Sequence, residues 1–567
     1  MSTFSLRLAG IRQGGKRLPS SLLLLPAVLF LGIFFFYPLV RIFAFALEGQ
    51  LLAESRTWSL LWRVLGFTVY QAALSTLFTL LVALPLAFLF ARYTFPGKSL
   101  WRAMISIPFL LPTLVVAAGF NAFLGDRGWV NLGLMRLFGL SAPPVPFTGT
   151  LAAILLAHVF YNTTLLVRLL IYALEHLDPR LEQAARLLGA DGRRVFWHVT
   201  LPLLRPALLA GASLVFLFDF TSFGVILLLG GARFSTLEVE IYVQGVHMLN
   251  LPLAAFLSMV QLLCTAGLGY LYTYLLRRAA VPISPRAAQS NVRAPKRLQE
   301  RAFVTLTTLL LIGLFILPML SLPLRSVLRL EAARGERGQV QYGLTLDYYR
   351  EIFINRRGSI FYVPPLQAMR NSLVFASLTI AFSLSLGIPA ALALRQKSWP
   401  ARLADGLFML PLGASSVTLG LGFILAFRRA VTSPILIPLA HTLMALPLVI
   451  RTLQPALASL PVRLREAALV LGASPWRAWW EVEWPILWRA ILVAATFAFT
   501  VSVGEFGATL LVARPEFPTL PLAIYRFLSQ PGGLNYGQAM AMTTLLMFFT
   551  ASGLLLIERF HWAGREF

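Results

Sequence analysis

One cysteine serves the whole chain of 567 residues, and Cys264 lies inside an apolar run. With no second thiol in the chain, an internal disulfide framework is excluded. Charge is scarce as well: Asp, Glu, Lys and Arg make up 13% of the residues, and only 23 are acidic. No zinc-type motif and no nucleophile–base arrangement stands out, so the sequence offers no catalytic constellation.

What fills the chain instead is apolar: 58% of residues are hydrophobic and the mean hydropathy is +0.76. A soluble domain has too little interior to hide that much apolar surface. A bilayer can take it, at about 20 apolar residues per helical span. Backbone groups in hydrocarbon must be satisfied within the segment, so the long runs read as helices. The formal charge of +25 falls mainly between apolar runs. That pattern points to topology and anionic lipid, with no nucleic-acid partner.

Apolar runs lie near 22–46, 66–91, 103–124, 150–173, 206–230, 253–276, 303–324, 370–394, 406–427, 434–450, 489–512 and 538–557. The expectation is an all-α integral membrane protein of about twelve transmembrane helices. The first run follows Arg7, Arg12, Lys16 and Arg17 and is too long for a signal core, so it reads as an uncleaved anchor. Lys and Arg favour the loops on the side of the termini, which places both termini in the cytoplasm. The basic, proline-containing stretch 279–302 reads as a cytoplasmic linker between halves 1–278 and 303–567.

The halves repeat each other. Ala157-His158 matches Ala440-His441, Arg168 matches Arg451, and Gly189 matches Gly472. Pro202 matches Pro485, Phe223-Gly224 matches Phe506-Gly507, and Tyr242 matches Tyr525, every pair offset by 283 positions. Pro108 with Pro411 and Gly119-Phe120 with Gly422-Phe423 fit an offset of 303. About 20 extra residues therefore lie between Gly125 and Ala157. Six spans per half in one order form a parallel repeat, with a central pathway at the interface.

Between the fourth and fifth spans of each half runs a short amphipathic segment, 178–202 and 461–485. The first carries Glu182-Gln183-Ala184-Ala185, then Gly189, and nine residues on Val199-Thr200-Leu201-Pro202. The second carries Glu466-Ala467-Ala468, then Gly472, and nine residues on Val482-Glu483-Trp484-Pro485. Alanines leave a low surface for docking, the glycine permits a turn that a Cβ resists, and the proline is expected to stop the segment before the next span. The two copies resemble the cytoplasmic loop of ABC importer permeases, with the pattern E-A-A-x3-G-x9-I-x-L-P. That resemblance implies the type I importer permease fold, two copies of a separate ATPase docked on the paired loops, and a periplasmic or lipid-anchored binding protein. It departs from the pattern at Gln183, where Glu is usual, and at Trp484, where Leu is usual. No phosphate loop of the form G-x4-G-K-[ST] occurs, so ATP and magnesium belong to the partner and this chain is no enzyme.

The remaining segments narrow the resemblance. Phe220-Thr221-Ser222-Phe223-Gly224, Ser502-Val503-Gly504-Glu505-Phe506-Gly507 and Leu156-Ala157-His158-Val159-Phe160 look like the fused two-half permeases for thiamine, and next like those for ferric iron. Such a chain moves a small cationic substrate through a bacterial inner membrane; an ion-coupled secondary transporter is the contrasting class. Asp219 and Glu505 fall in the fifth and eleventh runs, where intramembrane charge is expensive and usually functional. With Ser222, Phe223 and Phe506 they form the expected substrate path. His158 and His441 recur at matching sites and read as packing or hydrogen-bonding residues. The loops 231–252 and 513–536, with Glu238 and Glu240 in the first, are expected at the outer side, as an outer gate or against a binding protein.

Overall fold

The computed structural model describes residues 20–48, 54–106, 108, 111–279, 292–330, 343–354, 364–396, 398–430 and 432–562. The basic N-terminal tail and residues 280–291 of the linker lie outside them. Among the described residues, nine helices are long and apolar enough to cross a membrane: Leu22–Leu47, Ser55–Arg92, Leu151–Glu175, Gly192–Phe220, Leu251–Arg277, Leu298–Ser326, Pro365–Leu394, Leu436–Ser459 and Trp476–Gly504. The pair Trp399–Gly413 and Ser416–Ala426, bent by 100°, is a broken tenth span or a re-entrant loop. The protein is therefore a multi-pass helical membrane protein.

Several apolar runs are not continuous helices. The run 103–124 divides into Lys98–Ser106 and Thr113–Leu124. The run 206–230 ends its helix at Phe220 and restarts at Gly224. The run 489–512 does the same between Gly504 and Gly507. Hydropathy registers apolar character and is blind to such breaks. They are tolerated at membrane depth only where the freed backbone is enclosed by protein. The loops expected at 231–252 and 513–536 likewise contain buried helices, Leu237–Tyr242 and Leu520–Leu528. Leu237, Val239 and Ile241 supply the apolar face that draws the first of them inward. The extra residues of the first half form a helix of their own, Trp129–Phe138.

Prolines are placed by π turns. Gly32–Phe36, Phe196–Thr200, Ile312–Ile316 and Trp479–Glu483 each end two residues before Pro38, Pro202, Pro318 and Pro485. A proline ring clashes with the carbonyl four residues back and lacks an N–H; a π turn shifts the hydrogen-bond register just ahead of it. Pro202 and Pro485 accordingly do not stop their segments. Each sits in the first turn of a helix that runs on through the span.

The first long helix of each half packs on the other half. Gly119, in Thr113–Leu124, lies so close to Leu298–Ser326 that a Cβ on it would stand 3.2 Å from the Pro318 carbonyl oxygen. Reciprocally, a Cβ on Gly422 would stand 3.0 Å from Pro38 Cβ. Absence of a side chain is what permits both approaches. Phe120, Phe160 and Phe315 fill the space around the first contact, and Phe34, Phe423 and Phe427 that around the second.

Gly119→Val is expected to lower stability by about 1–3 kcal/mol through overpacking against an immovable backbone carbonyl. Gly133→Val, where no atom lies within 4 Å of the added Cβ, serves as control. Thermal inactivation midpoints in detergent check this; equal midpoints would refute the cross-half contact.

Candidate functional site

The two surface segments fold as near copies. Pro179–Leu187 begins after Asp178, whose side chain accepts from Arg180 N at 2.9 Å. Its counterpart is Val462–Val470. Gly189 and Gly472 both adopt φ +86°, the left-handed cap that favours glycine. The turns match bond for bond: Ala190 N donates to Ala185 O, and Ala473 N to Ala468 O, both at 3.0 Å. Each helix then ends in an apolar pair open to solvent. Leu187 and Leu188 are 89% exposed, Val470 81% and Leu471 87%. Gln183, Ala184, Glu466 and Ala467 are exposed on the same helices, beside half-buried Ala185 and Ala468. Isolated exposed apolar residues need no explanation, but three leucines and a valine at the tips of two equivalent helices form a matched pair of exposed apolar patches.

How each helix is tied to the following span differs in an instructive way. Glu182 turns inward, pairs with Arg92 at the end of Ser55–Arg92, and accepts from Thr200 Oγ1 at 2.9 Å. At the 283 offset, Glu182 corresponds to Arg465 and Thr200 to Glu483. Arg465 Nη1 lies 3.7 Å from buried Glu483 Oε1. Each surface helix is thus held by an ion pair, with the charge on the helix exchanged and the partner at a different position: Arg92 in the first half, Glu483 in the second. Arg395, the counterpart of Arg92, donates to the Leu460 carbonyl at 3.0 Å.

At the centre, the two helix breaks meet. The rings of Phe223 and Phe506 stack across the interface with centroids 5.9 Å apart and planes 24° from parallel. Tyr242 packs edge-on against Phe223 at 5.6 Å, and Tyr525 against Phe506 at 5.4 Å. The following glycines allow this: a Cβ on Gly224 would stand 2.6 Å from Thr113 Oγ1, and one on Gly507 2.1 Å from Ser416 Oγ. A quartet of aromatic rings therefore closes the axis between the halves.

Asp219 and Glu505 lie at these breaks, not along continuous spans, and they share no hydrogen bond. Asp219 Oδ1 accepts from Asn162 Nδ2 at 2.6 Å and stands 3.3 Å from His158 Nδ1. His158 also contacts Ser75 Oγ at 3.0 Å and Ser222 Oγ at 2.8 Å. Glu505 Oε1 accepts from Ala508 N at 2.9 Å, capping Gly507–Val512. In the second half His441 bridges Ser502 Oγ at 2.8 Å and Thr509 Oγ1 at 2.9 Å. The offset of 283, applied strictly, pairs Asp219 with Ser502 and Ser222 with Glu505. Each half therefore carries one acid, at different positions of one shared histidine-centred network. The other oxygens, Asp219 Oδ2 and Glu505 Oε2, are buried without a hydrogen-bond partner. Gln71, which donates to the Asp219 carbonyl at 2.8 Å, and Asn162 were not evident from sequence, because each lies inside an ordinary apolar run.

Glu238 is fully buried and crosses the halves. It accepts from Gln261 Nε2 at 2.8 Å and from Ser415 Oγ, the cap of Ser416–Ala426. Its neighbour Glu240 holds Ser235 Oγ and Gln244 Nε2, both at 2.8 Å.

Two parallel repeats, interlocked by their first helices and each carrying an equivalent surface helix, define an importer permease of the fused type. Residues 83–281 and 383–561 each match the family described as binding-protein-dependent transport system inner membrane component, and the chain belongs to that family. It is 29% identical to the thiamine transport system permease protein of Brucella abortus, over 88% of each chain. It is 28% identical to that of Escherichia coli, over 87% of this chain and 88% of the relative. A probable ABC transporter permease of Sinorhizobium fredii is 26% identical over 90% of this chain and 89% of its own.

Glu182→Gln would leave Arg92 buried without a counterion, at a cost of about 3–5 kcal/mol. Arg465→Gln removes an arginine that is 42% exposed, so water can take its place beside Glu483 and the cost is expected to be smaller than for Glu182→Gln. Limited trypsin digestion should cut the first surface helix of Glu182→Gln much faster than wild type and leave Arg465→Gln nearly unchanged; equal rates would contradict the tether asymmetry.

Proposed function

We propose that this chain is the membrane permease of an ATP-driven importer for thiamine or its phosphate esters, with six spans in each half and both termini in the cytoplasm. Two copies of a separate ATPase dock on the tips Leu187-Leu188 and Val470-Leu471, beside Gln183 and Glu466. They bind the ATP and magnesium that this chain does not. A substrate-binding protein delivers cargo to the opposite, periplasmic face of a bacterial inner membrane.

The observation that carries the substrate reading is the closed axis. Phe223, Phe506, Tyr242 and Tyr525 present aromatic faces, and buried Asp219 and Glu505 each keep one oxygen unpaired beside the breaks. Thiamine carries a cationic aromatic thiazolium ring joined through a methylene to a pyrimidine. Ring faces attract such a cation by about 0.5–2 kcal/mol each, and an unpaired buried carboxylate oxygen gains most from a positive partner. Its relatives are named for thiamine transport, which supports the same choice.

No covalent step is required. ATP-driven closure of the partner brings the two docking helices together. Each helix passes the motion through its charged tether and the continuous π-turned helix, Gly192–Phe220 or Trp476–Gly504, directly to the aromatic break at its far end. Parting of the Phe223–Phe506 stack opens the path.

Uptake of labelled thiamine at nanomolar concentration, in cells with and without this chain, tests the reading. Deletion should abolish saturable, ATP-dependent uptake and leave ferric-iron uptake untouched. Unchanged thiamine uptake would overturn the substrate.

A further inference from the structure

Beside the first docking helix lies a cavity of about 190 Å³, lined by Phe88, Arg92, Tyr93, Glu182, Arg186 and Arg293 among others. Three guanidinium groups face one carboxylate there. Arg92 is 8% exposed, and its Nε is buried without a hydrogen-bond partner. Arg186 and Arg293 stand close enough to repel it electrostatically. Arg293 is fixed in place by the backbone: its N–H donates to Arg92 O and its carbonyl accepts from Thr94 N, both at 3.0 Å. Its guanidinium lies over the Tyr93 ring at 5.8 Å and pairs with Glu300 at 2.7 Å. The end of the inter-half linker is thus strapped to the end of Ser55–Arg92, beside the docking helix, and it delivers a positive charge to the cavity.

The arrangement is confined to one half. At the matching positions the second half has Leu469 for Arg186 and Arg465 for Glu182, and Arg395 is occupied by a backbone carbonyl. Exposed Arg186 carries a positive charge beside buried Arg92, whose Nε lacks a partner; that pairing suits an anion, and guanidinium groups suit phosphate oxygens above all. The volume, about six times a water's share of ~30 Å³, accommodates a diphosphate.

We propose that this cavity is a phosphate-binding site on the cytoplasmic side, taking a small phosphate-bearing anion between Arg92, Arg186 and Arg293. Occupancy ties the linker strap to the first docking helix and restrains the motion that this helix must make. The site is a one-sided regulatory input to a two-sided machine.

The test is titration calorimetry on the full chain in nanodiscs of neutral lipid, with inorganic phosphate and with pyrophosphate. Saturable binding is expected, tighter for pyrophosphate and weakened at least tenfold by Arg186→Gln and by Arg293→Gln. Arg477→Gln, an exposed arginine near the second docking helix, should bind as wild type. Nanodiscs containing phosphatidylglycerol distinguish the source: loss of pyrophosphate binding there, restored in neutral lipid, assigns the site to a lipid headgroup. Absence of saturable binding by both anions, or equal weakening in Arg477→Gln, would overturn the proposal. Unchanged melting temperatures of the variants keep the result from being read as misfolding.

Discussion

Everything in this molecule is arranged around backbone that leaves its helix inside the membrane. A break at bilayer depth frees N–H and C=O groups that lipid cannot satisfy, so each break must be enclosed by protein. The breaks at Phe220–Gly224 and Gly504–Gly507 are enclosed by each other: the rings of Phe223 and Phe506 cover them from opposite halves. That requirement explains why glycines follow both phenylalanines and why the flanking hydroxyls, Ser222, Ser502 and Thr509, are bound to His158 and His441. It also explains the reciprocal packing of Gly119 on Pro318 and Gly422 on Pro38, since halves that clasp one another hold the breaks in register.

From that constraint the mechanical chain can be followed outward. The helices reaching the breaks start at Gly192 and Trp476, one glycine turn after the surface helices, and π turns carry them past Pro202 and Pro485. A displacement at Leu187-Leu188 or Val470-Leu471 has one rigid route inward. The exchanged ion pairs, Glu182 with Arg92 and Arg465 with Glu483, hold that route at its start. Their unequal burial makes the two routes unequal in stiffness, so the halves, alike in backbone, differ in how firmly they are gripped.

Much of this was legible in the sequence. The repeat was, because constant offsets across glycine, proline and histidine survive in a leucine-rich background. The two surface helices with their glycine turns were, because Ala-Ala-x3-Gly with a left-handed glycine is a local device that needs no tertiary context. The breaks were not: Ser222-Phe223-Gly224 and Gly504-Glu505-Phe506 are apolar enough to pass for the middle of a span. The buried helices Leu237–Tyr242 and Leu520–Leu528 read as loops for the opposite reason, being too short and too polar at Glu238 and Glu240. The charge-exchanged tether lay in plain view at the 283 offset, but only the fold shows that Glu182 faces Arg92 and not a partner.

The central claim is that the Phe223–Phe506 stack is the closed point of the path and must part in every cycle. The direct measurement replaces Cys264 with Ser and both phenylalanines with Cys, then follows ATP-dependent uptake of labelled thiamine in proteoliposomes holding the complete transporter. Oxidation should join the two new cysteines and arrest uptake, and a reductant should restore it. Uptake that continues at full rate while the cross-link is intact would contradict the account.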